Sequence, residues 1–316
     1  MVKKSTTKRK VSIQDTGFSS RAENEGTRLL NKDGSFNVEK KGQFFLERFS
    51  VFHWLIKMSW LNFFLVMFLG YILINLLFAS VYFLAGIEGL SGDHSNSLGN
   101  QFLDAFYFST QTLTTVGYGY YSPVSQFHSL LASFESFLGL MSFAMATGLL
   151  YGKFSKPKAG IVFSDKALIS PYKENEIALM IRLANAKENQ IINANAKMMV
   201  SWVDPKSKGM SRKYYLLKLE INSINMLATS WNVVHPINED SPLFGLSLEQ
   251  LEKREAEVIL QLQGYDETYS QEVYTRTSYK YNEMVWGAKF EPILNHEEGH
   301  ATLNMAKLSS YEKVTL

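Results

Sequence analysis

The sequence predicts a helical membrane domain with two spanning helices, followed by an all-β cytoplasmic sandwich, in a chain of 316 residues. Two long apolar segments, 58–87 and 124–152, predict the spanning helices, because about 20 apolar residues cross a bilayer core. Beyond residue 158 the sequence changes to short runs rich in branched residues, which are typical of strands. The length allows two domains, so both parts fit in one chain.

The composition excludes several kinds of site. The net charge of +2 gives no case for nucleic-acid binding, and the absence of cysteine excludes disulfides, thiolate metal sites and cysteine nucleophiles. No apolar segment follows the basic N-terminus within 30 residues, so we expect no secretory signal peptide. Residues 1–43 are mainly polar, and we expect most of this N-terminal segment to be flexible.

The segment 44–57 has apolar residues near helical spacing, and we expect it to form a helix lying flat in the membrane interface. Trp54 and Trp60 would be its aromatic anchors. The alternative is a simple continuation of the first span. Lys57 interrupts the apolar run and favours the interfacial helix.

Lysine and arginine predict the orientation. Residues 58–152 contain neither, whereas basic residues flank this domain on both sides: Lys40, Lys41, Arg48 and Lys57 before it, and Lys153, Lys156 and Lys158 after it. The positive-inside rule therefore places both termini in the cytoplasm and residues 88–123 on the outer side. We expect the membrane to be the plasma (inner) membrane. The segment 101–115 has only about four helical turns, so it must enter from the outer face and return.

Within this re-entrant segment, 101–119, a short helix precedes the sequence TTVGYG, which consists of Thr114, Thr115, Val116, Gly117, Tyr118 and Gly119. If the backbone is extended, the carbonyls of Thr115, Val116, Gly117 and Tyr118 can replace the hydration shell of K⁺. One chain supplies a quarter of such a ring, so the interpretation requires a homotetramer. The alternative is a plain re-entrant turn. The full motif, after a short helix and between two spans, favours the filter.

The TTVGYG motif resembles the signature of potassium channels. Tyr120 stands where voltage-gated channels carry aspartate, and an arginine-rich voltage-sensor helix is missing, so the sequence looks like the inward rectifiers. This resemblance implies that the second span lines the pore, with the rectification-control position at Phe143 and the gate near Thr147 and Tyr151. These three residues share a helix face, although each could equally pack against neighbouring helices.

Glu135 is a carboxylate within the second span. Such a group is functional by default or paired, so Glu135 either contacts ions as a pore-lining residue or is held by polar groups behind the filter. Gly139 and Gly148 could each soften the helix. Many eukaryotic inward rectifiers brace the filter with a Glu–Arg pair, but the matching residues here are Gln111 and Tyr121, which cannot form it.

Residues 159–309 are expected to form the cytoplasmic sandwich, and 310–316 a C-terminal tail. Apolar and polar residues alternate along 176–183, which is the period of a half-buried strand. The sequence has no dinucleotide fingerprint, P-loop, metal cluster or nucleophile elbow, so we expect neither enzyme activity nor an organic cofactor.

Three segments of this half resemble the cytoplasmic domain of inward rectifiers: VHPINEDSPLFGLSLEQL, LQGYDETYSQEVYTRTSY and NEMVWGAKFEPIL. The resemblance spans roughly 44–309 and is greatest to the prokaryotic, KirBac-type branch. It implies an immunoglobulin-like sandwich that forms a tetrameric vestibule, narrowed by a loop near Tyr269. Of the family's acidic vestibule residues, one matches Asn193 and another Glu267. Since only Glu267 is charged and Phe143 is neutral, polyamines or Mg²⁺ should block weakly.

Lys57 and the basic linker 153–158, with Lys153, Lys156 and Lys158, would lie just inside the membrane. Clustered lysines attract anionic lipid headgroups by about 1 kcal/mol each, and the resemblance implies regulation by phosphoinositide or other anionic lipids. The positive-inside rule alone explains the position of these lysines equally well, without a bound lipid.

The sequence thus predicts a tetrameric channel that conducts K⁺ passively and is gated at the inner-helix bundle and cytoplasmic domain. Two alternatives remain. A two-span channel gated by a cytoplasmic ligand would be favoured by a nucleotide-binding βαβ pattern, which is missing. In a non-conducting, membrane-anchored β-domain sensor, Gly117→Ala would leave function unchanged.

Overall fold

The computed structural model describes residues 28, 30–37, 42, 50–94, 97–155, 159–173, 176–203, 212–297 and 300–316. The chain divides into two compact units. One is helical and consists of 41–156, and the other is β-rich and consists of 1–40 together with 157–316.

The described part of the helical unit contains four α-helices: α1 (Val51–Lys57), α2 (Trp60–Ala85), α3 (Leu98–Leu113) and α4 (Gln126–Phe154). By length and composition, α2 and α4 are apolar enough to cross a membrane. In contrast, α3 has 16 residues and is about 24 Å long, too short to span the bilayer core. It begins three residues before the predicted start at 101.

A break separates α1 from α2. Met58 is extended, and the side chain of Ser59 accepts a hydrogen bond from the N–H of Asn62, which is the capping arrangement that begins a new helix. The two helices are therefore not continuous, and the alternative of one uninterrupted helix is wrong. Residues 43–49 lie outside the described residues, and the membrane-surface location of α1 stays a prediction.

Helices α2, α3 and α4 pack around a buried cluster that includes Tyr82, Ala105 and Phe108. At Gly139 of α4, an added Cβ would lie 2.0 Å from the carbonyl oxygen of Leu113 at the end of α3. Gly139 therefore permits close approach of the two backbones, which explains the residue better than helix softening. At Gly148 an added Cβ would meet nothing within 4 Å.

The second unit is a sandwich of two five-stranded sheets, mostly antiparallel. One sheet contains β1 (Ile161–Phe163), β2 (Ala167–Tyr172), β3 (Glu176–Asn185), β7 (Ser230–Ile237) and β10 (Met284–Trp286). The other contains β4 (Ile191–Val203), β5 (Arg212–Leu217), β6 (Ser223–Met226), β8 (Glu257–Asp266) and β9 (Gln271–Lys280). Helix α5 (Leu248–Lys253) precedes β8, and two small pairs are formed by β11 (Ala288–Phe290) with β14 (Tyr311–Lys313) and by β12 (Leu294–Glu297) with β13 (His300–Leu303).

The core lies between the two sheets. Leu179, Ile181 and Leu183 of β3 point into it, as their alternation predicts. The opposite face of β3 is not solvated, however: Arg182 is only 4% exposed and lies over the ring of Phe290 of β11, 4.4 Å from its centroid. The prediction of a half-buried strand is therefore wrong here, because the pair β11–β14 covers the second face.

Two predicted boundaries of this unit are wrong. The segment 310–316 is not a free tail, because β14 pairs with β11. Residues 30–37 are not flexible: the side chain of Leu30 is fully buried, its N–H donates to Glu257, and its carbonyl accepts from the hydroxyl of Ser278. A single apolar side chain that finds a buried position outweighs the polar composition of this segment.

Candidate functional site

The backbone of the TTVGYG segment alternates in the sign of φ. Thr115, Gly117 and Gly119 have φ of +58°, +55° and +84°, whereas Val116 and Tyr118 do not have positive φ. This alternation turns successive peptide planes the same way, so that carbonyls can line one side of the chain, as an ion filter requires. The backbone therefore differs from the regular extended strand that was the condition for the interpretation from sequence. Glycine suits two of the three positive-φ positions, and Thr115 adopts one that is strained for a residue with a Cβ.

Hydrogen bonds to the end of α3 define the direction of these carbonyls. The N–H groups of Val116 and Gly117 both donate to the carbonyl of Gln111, at 3.0 and 3.4 Å, and the N–H of Thr115 donates to Thr112 at 3.1 Å. The described peptides are all trans, and the carbonyl of a trans peptide points opposite to its N–H. The carbonyls of Thr114, Thr115 and Val116 therefore point away from α3.

The side of the segment away from α3 is open in the single chain. Residues 114–120 are all exposed, including Val116 at 54% and Tyr118 at 81%. A Cβ built on Gly117 or Gly119 would meet no atom within 4 Å. One chain thus presents a row of carbonyls to empty space, which is what a quarter of a ring looks like without its other three copies.

Glu135 does not line the pore. Its side chain is fully buried, accepts a hydrogen bond from the hydroxyl of Tyr82 of α2 at 2.7 Å, and accepts a second from Ser109 of α3. The Ser109 hydroxyl also lies 3.1 Å from the side-chain oxygen of Asn75, another buried residue of α2. The pore-lining assignment is corrected: Glu135 is held by polar groups of α2 and α3, because each of these helices presents a buried hydroxyl to its carboxylate.

Sequence reasoning missed Asn75, Tyr82 and Ser109. Each is a polar residue in an otherwise apolar or re-entrant helix, and a polar residue in such a helix could have indicated a buried hydrogen-bond partner. Nothing in the spacing along the chain indicates that Tyr82 donates to Glu135, or that Asn75 and Glu135 both contact Ser109, since Glu135 lies more than 50 positions after either α2 residue.

Phe143, Thr147 and Tyr151 lie along one exposed side of α4. Phe143 is 76% exposed and Tyr151 is 74% exposed, while the Thr147 hydroxyl donates to the carbonyl of Phe143 at 2.9 Å. These side chains are therefore not packed within their own chain. Their roles at a gate stay predictions.

Lys153 is buried, contrary to the lipid-binding prediction. It is 8% exposed, and its ammonium donates to the carbonyls of Met58 at 2.6 Å and Ile56 at 3.3 Å. The same group lies 5.0 and 5.1 Å from the ring centroids of Trp60 and Phe63. A lysine whose charge is satisfied by backbone oxygens and aromatic faces is not free for a headgroup, so the assignment of Lys153 as a lipid ligand is wrong.

The other predicted lipid residues differ from Lys153. Lys57 is exposed at the end of α1. Lys156 and Lys158 lie outside the described residues. Lipid binding by Lys57, Lys156 and Lys158 therefore stays a prediction.

Asn193, Glu267 and Tyr269 lie at one end of the second sheet. Asn193 has φ of +49° at an irregularity in β4, and it lines a cleft of about 340 Å³ with Gln263 and Glu272. Glu267 and Tyr269 are exposed in the turn between β8 and β9. The hydroxyl of Tyr274 donates to the Glu272 carboxylate, and this hydrogen bond raises the pKa of the tyrosine.

Comparisons with known proteins agree with both halves of this description. Residues 161–316 match the family described as inward rectifier potassium channel C-terminal domain, and residues 66–156 match the family described as ion channel. Inward rectifier potassium channel Kirbac3.1 of Paramagnetospirillum magnetotacticum is 33% identical over 288 residues, which cover 89% of this chain and 94% of that protein.

More distant matches extend to animals. Inward rectifier potassium channel 4 of Homo sapiens and of Mesocricetus auratus is 28% identical over 229 residues, covering 67% of this chain and 50% of each relative. The solved structure of Spo0M, a sporulation control protein of Bacillus subtilis, covers 42% of this chain and 50% of its own, with 11% identity and a TM-score of 0.22. A likeness at that level carries no inference.

Proposed function

The chain belongs to the inward-rectifier potassium channel family, KirBac-type branch, and from this premise we propose that its TTVGYG segment is the K⁺ filter of a homotetrameric membrane channel. The family makes the protein an ion channel rather than an enzyme, with K⁺ as the permeant ion. The observation that carries the proposal is the direction of the Thr115 and Val116 carbonyls, away from α3 and into open space.

Conduction requires that the filter replace the hydration shell of K⁺ without binding the ion too tightly to release it. Four copies of the carbonyls of Thr115, Val116, Gly117 and Tyr118 would supply successive rings of oxygens, and several adjacent sites would let ions leave. The N–H groups on the opposite side donate to α3, so the backbone is held by its own pore helix while its carbonyls stay free for K⁺.

We place the control of conduction at two positions. The exposed side of α4, with Phe143, Thr147 and Tyr151, would face the same side chains of the other copies and narrow the pore there. Asn193, Glu267 and Tyr269 would line the cytoplasmic path, where the uncharged Asn193 leaves only a weak field for polyamines or Mg²⁺.

Anionic lipids or phosphoinositides would modulate this channel through Lys57, Lys156 and Lys158. Lys57 is exposed, and it lies at the end of α1 where Gly152 of α4 packs closely against Ile56. A headgroup at Lys57 would therefore act on a helix that contacts the inner helix. Both termini are placed in the cytoplasm, and the membrane is the plasma (inner) membrane.

Cation flux into liposomes tests the function. Purified tetramer should take up Rb⁺ and K⁺ far better than Na⁺. Gly117→Ala should abolish the flux, since alanine is strained at φ of +55°. Gly70→Ala in α2 is the matched control, because an added Cβ there meets nothing within 4 Å in the chain and α2 carries none of the proposed filter or gate residues. Equal Na⁺ flux through folded tetramer, or an unchanged Gly117→Ala variant, would contradict the proposal and favour a non-conducting sensor.

A further inference from the structure

Three side chains from three segments meet beside the chain that leaves the filter. Tyr121 follows Gly119 by two residues, Asp104 is on α3, and His94 is in the loop between α2 and α3. The Tyr121 hydroxyl donates to Asp104 Oδ1 at 2.8 Å, and His94 Nδ1 lies 3.5 Å from Asp104 Oδ2. The rings of His94 and Tyr121 stack, with centroids 5.8 Å apart and planes 11° apart. We call this group the outer clamp.

The loop before α3 is shaped to hold the Tyr121 ring. Gly92 has φ of +113°, and a Cβ added there would lie 2.9 Å from the ring. Next to it, the N–H of Ser91 donates to the carbonyl of Ser122 at 2.7 Å, and the two serine hydroxyls are 2.7 Å apart. Gly92 thus approaches the Tyr121 ring closely, and the residue that follows Tyr121 is hydrogen-bonded to the same loop.

The contacts of the His94 ring define which of its nitrogens carries a hydrogen. His94 Nε2 lies 3.0 Å from the carbonyl of Leu90, and because a carbonyl only accepts, Nε2 carries a hydrogen. In neutral His94, Nδ1 would then direct a lone pair at the Asp104 carboxylate. Nδ1 is buried and has no hydrogen-bond partner among the described residues. Protonated His94 instead presents a second N–H, which the Asp104 carboxylate can accept.

Few titratable groups among the described residues lie against the His94 ring. Asp104 on α3 and Tyr121 after the filter are the titratable groups recorded against it in the described part of the chain, and Asp93, next in sequence, is exposed. Asp104 is 15% exposed and His94 14% exposed at the side chain, so solvent screens this pair only partly.

We propose that the outer clamp positions the outer end of the filter and that a proton taken up by His94 from the outer side strengthens it. This inference rests on the proposed function of the TTVGYG segment. The clamp joins Tyr121 to α3, which also accepts the hydrogen bonds from the filter N–H groups. Both ends of the filter are therefore held by the same helix. It supplies a connection between filter and pore helix where Gln111 and Tyr121 exclude a Glu–Arg pair.

The first test compares two tyrosine variants in liposomes. Tyr121→Phe keeps the ring but removes the donor to Asp104, and we expect a roughly tenfold loss of the preference for Rb⁺ over Na⁺, as for one hydrogen bond to a charged group. Tyr120→Phe, the matched control, removes a hydroxyl one position earlier and should keep the preference. An unchanged Tyr121→Phe, or an equal loss in both variants, would overturn the proposal.

The second test changes the pH on one side of a planar bilayer at a time. The preference of the native channel for K⁺ over Na⁺ should be greater at acidic than at alkaline outer pH. His94→Gln should remove this dependence. The dependence should be absent when the pH of the other side is changed. A His94→Gln channel with the native pH profile, or a native channel without one, would refute the role of the proton.

A third variant keeps the test decisive if Tyr121→Phe fails to assemble. Asp104→Asn retains a side-chain oxygen for Tyr121 but removes the charge opposite His94, so it should keep most of the preference and lose its dependence on outer pH. If Asp104→Asn keeps the native pH profile, the proposal fails. A native tetramer that passes Na⁺ as well as K⁺ would instead refute the proposed function itself, which separates the two failures.

Discussion

Replacement of Lys153 by methionine should destabilise the helical unit. Methionine keeps an unbranched apolar side chain but has no donor, so the carbonyls of Ile56 and Met58 would lose the ammonium that lies 3.3 and 2.6 Å away. The rings of Trp60 and Phe63 would lose a cation at about 5 Å. These contacts join the end of α4 to the break between α1 and α2, so their loss should loosen that junction.

The magnitude follows from the contacts. A hydrogen bond to a charged group contributes about 1.5–3 kcal/mol, and a partly desolvated cation–π contact contributes about 1–2 kcal/mol. Burial of the ammonium at 8% exposure offsets part of this sum. We expect a net loss of about 2–3 kcal/mol. The matched control is Lys57→Met, an exposed site where the change should stay within about 0.5 kcal/mol.

Two measurements check this expectation. Heat-induced loss of the tetramer should occur several degrees lower in Lys153→Met than in the native protein, by about 2 °C or more per kcal/mol, and should be unchanged in Lys57→Met. In a titration of flux with anionic lipid, Lys57→Met should respond less than the native channel, and Lys153→Met should respond like it. A Lys153→Met protein with native heat stability and no lipid response would refute the reasoning, because it would mean that the ammonium is available to headgroups.

Three further predictions concern α4. Gly139→Ala should destabilise the protein by about 1–3 kcal/mol, since its Cβ would lie 2.0 Å from the Leu113 carbonyl oxygen. Gly148→Ala should be neutral or slightly stabilising. Equal heat stability of the two variants would contradict the packing role of Gly139. Glu135→Ala leaves the hydroxyls of Tyr82 and Ser109 without their acceptor, whereas Glu135→Gln keeps one acceptor oxygen. Glu135→Ala should therefore reduce heat stability and K⁺ selectivity more than Glu135→Gln does. The reverse order in flux measurements would argue for direct ion contact. Spermine should block weakly at positive voltage because Phe143 is uncharged, and steep block at micromolar concentration would show that this reading is wrong.

Local patterns predicted the parts of the fold that depend on neighbours in sequence. The two apolar segments correspond to α2 and α4, and the strand-like runs after 158 form the sandwich. The resemblance to inward rectifiers, drawn mainly from TTVGYG and three cytoplasmic segments, is confirmed by the family matches. These features are readable because hydrophobic period and a contiguous motif are properties of the chain itself.

Burial was the property that local patterns misjudged. Lys153 was expected at a headgroup, yet it contacts carbonyls almost 100 positions earlier in the chain. Leu30 was assigned to a flexible segment and is fully buried against β9, and β14 was assigned to a tail although it pairs with β11. In each case the partner is remote in sequence, and no period or motif records it.

The sequence by itself determined the family, the two-part architecture and the TTVGYG motif that we propose as the filter, since each rests on residues that are adjacent or regularly spaced. Only the tertiary structure decided what holds the filter in place. It brings Glu135 to Tyr82 and Ser109, and it brings Tyr121 to Asp104 and His94. The physical reason is that a buried polar group must find a partner in three dimensions, and which partner it finds depends on how the helices pack.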